Sequence, residues 1–333
     1  MTRRLGSAWP LAVGVATCIG ATIAPGASAQ TPSATEGAQD FLFPIGARSV
    51  AMGQAVVASA IGSDAVWWNP ALIARGQREV ALHITQTIST QTGTDAAGVV
   101  VYPVSRVGAI ALSVRYLNYG EQESEDSISH QVTGTFAQTS TIAAATFAAP
   151  FGDRLAFGLT AKLLRIAFPC TGACNTAASS PETGALDLGA QYIAGRDSLI
   201  TIGAALRNVG FKLQINDAPQ ADALPNRADV GVAIAPKFAS MPPDVRVRAA
   251  ADVVARVVGG GSPGYRLGGE VSYRERYYAR AGYVVRGPTG SGGFTFGLGL
   301  STGKLHIDFA RMLDDIQQQA GVTPTFLSLR YLF

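Results

Sequence analysis

The chain has 333 residues, of which 47% are hydrophobic, 15% are charged and 38 are glycine. Its formal charge of 26 − 23 = +3 is too small for a nucleic-acid-binding surface, and its apolar content excludes a disordered chain. No run of about 18 unbroken apolar residues occurs, which excludes a helical membrane protein and leaves a large soluble β protein or a membrane β-barrel.

The first 29 residues have the three regions of an export signal. Arg3 and Arg4 form a basic start, residues 11–23 are a short apolar stretch, and residues 27–29 are the small residues that a signal peptidase requires. An N-terminal membrane anchor is the alternative, but glycine and proline interrupt the stretch. We expect residues 1–29 to be removed, which takes two arginines and lowers the formal charge from +3 to +1.

Residues 30–78 form a segment of different character, which we expect to plug the mouth of a barrel. Its small residues allow close backbone packing, and Asn69 followed by Pro70 predicts a short helix over residues 70–75. Trp67 and Trp68 are expected to be buried or to lie at an interface. A fixed plug and a gate that moves are both compatible with this pattern. The motif residues of the segment are Gly46, Ala47, Arg48, Met52, Gly53, Asp64, Asn69, Pro70 and Ala71.

From residue 79 onward, apolar and polar residues alternate with period two, as in β-strands. The alternation predicts about fourteen strands, each near the roughly 9–11 residues that cross a bilayer at a tilt. The predicted ranges are 79–90, 94–104, 106–117, 138–151, 153–167, 184–194, 198–208, 227–236, 245–255, 265–275, 276–287, 292–301, 303–313 and 324–333. We therefore expect an all-β fold, a transmembrane antiparallel β-barrel over residues 79–333 with an N-terminal plug that contains short helices.

The position of charge separates a membrane barrel from a soluble sandwich. Tyr265 and Tyr273 lie at the two ends of one apolar face, as aromatic residues do at the edges of a membrane barrel. The opposite, polar faces carry Glu270, Arg280 and Asp308. Charges of mixed sign can pair across a lumen, whereas a sandwich core has little room for them. The pattern favours a barrel with these three residues in its lumen.

Short and long connections alternate along the chain, as periplasmic turns and extracellular loops do in outer-membrane barrels. This order places both termini on the periplasmic side and residues 168–183 in an outer loop. Cys170 and Cys174 lie in that loop, and a local disulfide is expected in an oxidising compartment. A metal site is the competing interpretation, but no histidine or second cysteine pair lies nearby in the sequence.

The last strand ends with Leu329, Tyr331 and Phe333 on one face. A terminal strand with this alternation and a final aromatic residue resembles the assembly signal of outer-membrane barrels. Together with the export signal, it predicts a location in the outer membrane of a Gram-negative-type bacterium, with the lipid bilayer as a partner.

The plug motif, G-A-R-x-x-x-M-G-x-A-x-V-A followed by D-x-x-x-x-x-N-P-A-x-[LI]-A, resembles that of the PorV/PorQ family of outer-membrane proteins. That family is related in architecture to FadL-type long-chain fatty-acid transporters, which also carry an Asn-Pro-Ala segment before the first strands. The resemblance implies a fourteen-stranded barrel with a plug. It also implies a role in type IX secretion, with protein partners of the secretion or surface-attachment machinery.

Catalysis is not expected, because no Gly-x-Ser-x-Gly elbow occurs and the histidines are only three, His83, His130 and His306. No cofactor and no metal are predicted. Two other functions stay open beside partner binding: a transporter that admits a hydrophobic ligand past the plug, and a plain structural barrel. A transporter requires an apolar pocket in the barrel. Partner binding requires an occluded lumen and apolar outer loops, for which residues 209–226 and 321–325 are the candidates.

Overall fold

The computed structural model describes residues 36–86, 93–104, 107–126, 128–174, 180–195, 199–214, 221–237, 240–285, 292–314 and 323–333. The expected export signal and residues 30–35 lie outside the described residues. The strands are β1 (Glu79–Gln86), β2 (Thr94–Val104), β3 (Gly108–Glu125), β4 (Val132–Phe151), β5 (Leu155–Ala167), β6 (Cys170–Gly172), β7 (Glu182–Ala194), β8 (Ile200–Gly210), β9 (Arg227–Ile234), β10 (Val245–Arg256), β11 (Gly264–Tyr273), β12 (Tyr277–Val285), β13 (Gly293–Thr302), β14 (Leu305–Asp314) and β15 (Thr325–Leu332).

All of these strands except β6 form one closed antiparallel barrel. Each strand pairs with its neighbours along the chain, β5 pairs with β7 across the short β6, and β15 pairs with β1 to close the wall. Among the described residues, β6 pairs with residues 134–136 near the start of β4. The fourteen wall strands confirm the predicted fold class.

The wall is apolar on its outer surface because side chains alternate between the two faces of each strand. In β1, every second residue is buried and every other one is exposed. Large apolar side chains point outward, among them Leu112, Leu163 and Leu298, which are 65%, 68% and 64% exposed. An outer wall of this kind is the surface that a barrel presents to lipid. Among the described residues, no helix is long and apolar enough to cross a membrane.

Short helices fill the barrel interior ahead of β1. They are α1 (Ala47–Ala51), α2 (Ala65–Trp68) and three 3-10 helices at Gln39–Leu42, Gly62–Asp64 and Pro70–Arg75. Asn69 caps the last of these, because its side-chain oxygen accepts a hydrogen bond from the Ala71 amide. The helix expected over residues 70–75 is therefore present in the tighter 3-10 form, which proteins use in short pieces.

One long loop of the sequence prediction is wrong. Residues 118–137 were expected to be a loop, but β3 continues to Glu125 and β4 begins at Val132, so the two strands form a hairpin that extends past the wall. An irregularity between Asn118 and Glu121 marks where the extension begins. Beyond Glu121 the burial of the two strands no longer alternates regularly, so the alternation signal is weak there.

Candidate functional site

Within the predicted segment 30–78, residues 44–76 are from here on called the plug. The plug rests against the wall at three places where a glycine of one strand faces a glycine of the next. The first pair is Gly268 on β11 and Gly282 on β12. A Cβ atom on Gly268 would lie 2.2 Å from the Met52 oxygen, and one on Gly282 would lie 2.1 Å from the Gly53 nitrogen. Gly53 itself has φ +60°, a conformation that L side chains rarely adopt. Met52 and Gly53 of the predicted motif therefore form a turn that lies directly on the wall backbone.

The second pair, Gly203 on β8 and Gly231 on β9, receives the plug at Val57. A Cβ atom on Gly203 would lie 2.1 Å from the Val57 oxygen. Asp252 of the neighbouring β10 accepts a hydrogen bond of 2.9 Å from the Val57 amide. A wall carboxylate thus holds the plug backbone beside the glycine pair.

The third pair is Gly158 on β5 and Gly189 on β7, and it receives the Asn69-Pro70-Ala71 turn. The Asn69 side-chain amide donates to the Val57 oxygen at 2.7 Å and to the Ala190 oxygen at 3.0 Å. Asn69 thereby joins two turns of the plug to each other and to β7. Trp68 is buried just before this turn, and its indole N–H donates to the Ile45 oxygen.

Arg48 of α1 connects the plug to the lumenal charges. It is 1% exposed, and its Nε lies 3.1 Å from a carboxylate oxygen of Glu270 on β11. Another of its nitrogens donates to the Ser59 oxygen at 3.0 Å, which also ties two parts of the plug together.

The three predicted lumen charges belong to one network. Glu270 pairs with Arg280 at 2.6 Å and with Arg248 at 3.1 Å, in addition to Arg48. Arg280 also pairs with Asp308 at 2.6 Å, and Asp308 pairs with Arg330 at 3.0 Å. Since each charge has a partner of opposite sign, the desolvation of these buried groups is compensated.

A serine, a histidine and an aspartate lie together beneath α1, but their arrangement is structural. Ser328 Oγ accepts a hydrogen bond from the Ala47 amide and lies 2.8 Å from His83 Nδ1. His83 Nε2 is 3.8 Å from Asp64, whose other oxygen accepts from Ser49. All are fully buried, which leaves no room for a substrate beside Ser328. Gly46 approaches Asp64 so closely that a Cβ atom would lie 2.5 Å from its carboxyl carbon.

An apolar region, here called the outer chamber, fills the lumen towards the long-loop end. Its inward-facing and loop residues are Leu117, Ile142, Leu164, Ile166, Leu213 and Leu224. Residues 36–43, here called the strap, cross this chamber, and Phe41 packs among its side chains. The Phe43 and Tyr119 rings lie against each other with centroids 6.2 Å apart.

Polar contacts hold the strap to the wall. Glu36 accepts two hydrogen bonds, of 2.8 and 2.7 Å, from the buried Arg227 of β9. The Tyr119 hydroxyl donates to Asp40 at 2.6 Å, and Arg115 donates to the Phe43 oxygen at 2.9 Å. Sequence reasoning did not single out the strap; its signal was the pair Phe41 and Phe43 close to the glycine motif.

The outer loops contain the two cysteines. Cys170 and Cys174 are joined by a disulfide across a sequence separation of 4, and β6 between them extends the β3–β4 hairpin. Of the loop 209–226, Phe211 is 80% exposed, whereas Leu213 is buried in the outer chamber and does not lie on a contact surface. Ile215 and residues 321–322 lie outside the described residues. In the described part of the chain, no group of three metal-ligating side chains occurs.

The C-terminal residues lie on the outer wall beside the seam between β15 and β1. Leu329 pairs in register with Leu82, and Tyr331 pairs with Val80. The Tyr331 and Phe333 rings contact each other edge to face at 5.0 Å, and the Phe333 amide donates to the Arg78 oxygen. The aromatic end of the chain therefore lies at the short-turn rim.

No family model matches the sequence, and no curated protein matches it. Solved structures with a similar fold include the CymD monoaromatic hydrocarbon channel, with 13% identity, a TM-score of 0.56 and coverage of 87% of this chain and 97% of that chain. The Pseudomonas putida toluene transporter TodX has 13% identity and a TM-score of 0.54, covering 85% of this chain and 95% of its own. A deltaS2 mutant of TodX has 14% identity and a TM-score of 0.59, with coverage of 86% and 98%.

None of these three structures is a PorV or PorQ protein. The similarity shows the fold alone and does not bear on a role in secretion. The chain is thus similar in fold to the hydrocarbon channels CymD and TodX.

Proposed function

We propose that this protein is an outer-membrane channel that admits small hydrophobic molecules, with both termini in the periplasm and residues 1–29 removed on export. The observation that carries the proposal is the outer chamber. A buried apolar cluster lies in the lumen at its long-loop end, and a strap held by polar contacts covers it. A solute that prefers apolar surroundings has a place to bind there once the strap moves.

Aromatic hydrocarbons are the substrate class to test first. Five aromatic side chains belong to the outer chamber and strap or pack against them: Phe41, Phe43, Trp67, Tyr119 and Phe168. Aromatic rings favour offset or edge-to-face contact with other rings, so a flat aromatic solute suits this lining. The names of CymD and TodX, which share the fold, refer to monoaromatic hydrocarbons and to toluene.

In this mechanism Phe41 occupies the place of the solute. Its ring lies 4.8 Å from the Lys162 ammonium, which in turn pairs with Asp187 at 2.7 Å. Release of Glu36 from Arg227 loosens the start of the strap, and Phe41 leaves the chamber when the hydrogen bonds at Asp40 and Phe43 also break. The ion pair therefore contributes to how often the chamber is open.

The test is the uptake of labelled toluene by Gram-negative cells that produce the protein. We expect uptake above that of cells without it, and faster uptake with Glu36→Gln, because the strap loses an ionic contact. Glu182→Gln is the matched control, since Glu182 pairs with Arg165 in an exposed pair and touches no strap residue. Toluene uptake at the background rate in both the wild type and Glu36→Gln cells contradicts the channel function.

A second candidate is binding of protein partners in type IX secretion or surface attachment, as the PorV/PorQ resemblance implies. The plug occludes the lumen, and the outer loops expose Phe211 and Ile128, which are 80% and 89% exposed. These features support a docking role at the cell surface.

A deletion strain separates the two candidates. It is assayed for surface display of secreted proteins and for uptake of labelled toluene. Lost display with unchanged uptake supports partner binding, and unchanged display with lost uptake supports the channel. A cheaper observation is whether type IX components are encoded nearby.

A further inference from the structure

A cavity of about 440 Å³ lies at the short-turn end of the barrel, on the other side of the plug from the strap. Its volume falls within the range of roughly 300–1,000 Å³ that small-molecule sites occupy. Its apolar lining combines plug and wall residues, among them Ile61, Leu72, Leu199 and Leu332. We call it the lower cavity.

The charged lining of the lower cavity is mainly basic. Arg75, Arg248 and Arg330 line it together with Glu79 and His306, but Arg248 pairs with Glu270 and Arg330 pairs with Asp308. Arg75 donates to the backbone oxygens of Gly152 and Leu155, both at 2.9 Å. In the described ranges, no carboxylate lies within ion-pair distance of Arg75, so its positive charge is not neutralised.

We infer that the lower cavity binds the carboxylate of a small hydrophobic acid. The carboxylate accepts charge-assisted hydrogen bonds from Arg75, and Arg248, which keeps its contact with Glu270, adds positive charge to the lining. The apolar body of the acid lies against Leu72, Leu199 and Leu332. The inference does not rest on the proposed uptake function, because the strap and the outer chamber take no part in this site.

The test is calorimetric titration of the full mature protein in lipid nanodiscs with benzoate, and with benzamide as a neutral probe of the same shape. Benzoate is expected to bind more tightly by about tenfold, or ~1.4 kcal/mol. Arg75→Gln is expected to weaken benzoate binding by a similar factor of about ten, without changing the binding of benzamide.

Arg274→Gln is the matched control. Arg274 lies at the same end of the barrel, pairs with Asp244 and does not line the lower cavity, so benzoate binding is expected to be unchanged. Arg248→Gln is a second test variant. Each protein is checked for folding by gel electrophoresis, in which an unheated, folded barrel migrates faster than the heated, unfolded one. Equal affinity for benzoate and benzamide, no benzoate binding at millimolar concentration, or unchanged binding in both folded test variants overturns the inference. None of these results affects hydrocarbon uptake, which is measured separately.

Discussion

Six wall glycines determine how closely the plug approaches the barrel. At each of the three pairs, a plug backbone atom occupies the space where a Cβ atom would otherwise lie. The close approach therefore depends on the absence of a side chain, and hydrogen bonds such as that from the Val57 amide to Asp252 then hold the plug in place. This explains why a plug rich in small residues is held by a wall rich in glycine.

The pair of neighbours Gly268 and Gly269 tests this contact. Gly268→Ala places a methyl group 2.2 Å from the Met52 oxygen, whereas the nearest atom to a Cβ on Gly269 is 4.0 Å away. We expect Gly268→Ala to lower the free energy of unfolding by ~1–3 kcal/mol through overpacking, and Gly269→Ala to change it little. Urea unfolding in detergent micelles measures both. Equal effects of the two changes would contradict the role of the glycine pair.

Arg48 gives a second residue-scale prediction. Arg48→Met removes a fully buried partner of Glu270, and breaking a buried pair costs ~3–5 kcal/mol. We expect the lower end of that range, because Arg248 and Arg280 still neutralise Glu270. The measurements are the unfolding midpoint in urea and the conductance of the protein in planar bilayers, which rises as the plug loosens.

Arg246→Met is the control for this change. Arg246 pairs with Glu275 in an exposed pair, 60% and 66% exposed, and such pairs contribute ~0–1 kcal/mol. A loss of stability as large as that of Arg48→Met would show that burial is not what makes the Arg48 contact important.

Single residues differ in how far the sequence predicts them. Alternation alone assigns Glu270, Arg280 and Asp308 to the polar face. It cannot predict that Arg48 joins them, because that contact spans a sequence separation of 222 residues. The pairing of Gly268 with Gly282 could not be predicted either, because it depends on the register of the two strands, and the period of two does not determine the register.

Among the elements, the β3–β4 hairpin differs most from the sequence prediction. Strands were predicted where an apolar face repeats, and the hairpin extension has none beyond Asn118. Its strand character comes from pairing with its own partner strand and with β6. The strap was missed for a related reason: its extended and 3-10 backbone has no period, and its position depends on Arg227, far along the chain.

The disulfide stabilises only this outer element. The disulfide joins Cys170, the first residue of β6, to Cys174 just beyond it, and in the described part of the chain β6 pairs with three residues of β4. We expect the double change Cys170→Ser, Cys174→Ser to leave the urea midpoint of the barrel unchanged and to speed proteolysis between β5 and β7. A lowered barrel midpoint would mean that the hairpin extension supports the wall itself.

At the scale of the whole molecule, the distribution of polarity is the reverse of that in a soluble protein: the outer surface is apolar and the interior is charged. Apolar side chains face outward, while buried ion pairs surround the plug. This inversion was predictable, because the period of two places each strand's charges and its aromatic residues on opposite faces. The closed wall of fourteen strands followed from the same alternation together with the alternation of short and long connections.

Leu298 on the outer wall tests the environment of the barrel. It lies in the middle of β13 and is 64% exposed. Leu298→Arg is expected to destabilise the barrel in lipid vesicles by ~2–4 kcal/mol, as arginine does near the bilayer midplane, and Thr302→Arg at the strand end by ~0–1 kcal/mol. Urea titration of the vesicle-bound protein measures both. If the two variants are equally stable, the wall does not face hydrocarbon.

The closure of β15 onto β1 has a consequence for biogenesis. The plug precedes β1 in the chain, yet its turns lie on β5, β8 and β11, and the seam that closes the wall joins the first wall strand to the last one. Residues 44–76 therefore gain their wall contacts only from strands far along the chain, so the final position of the plug depends on the assembled wall.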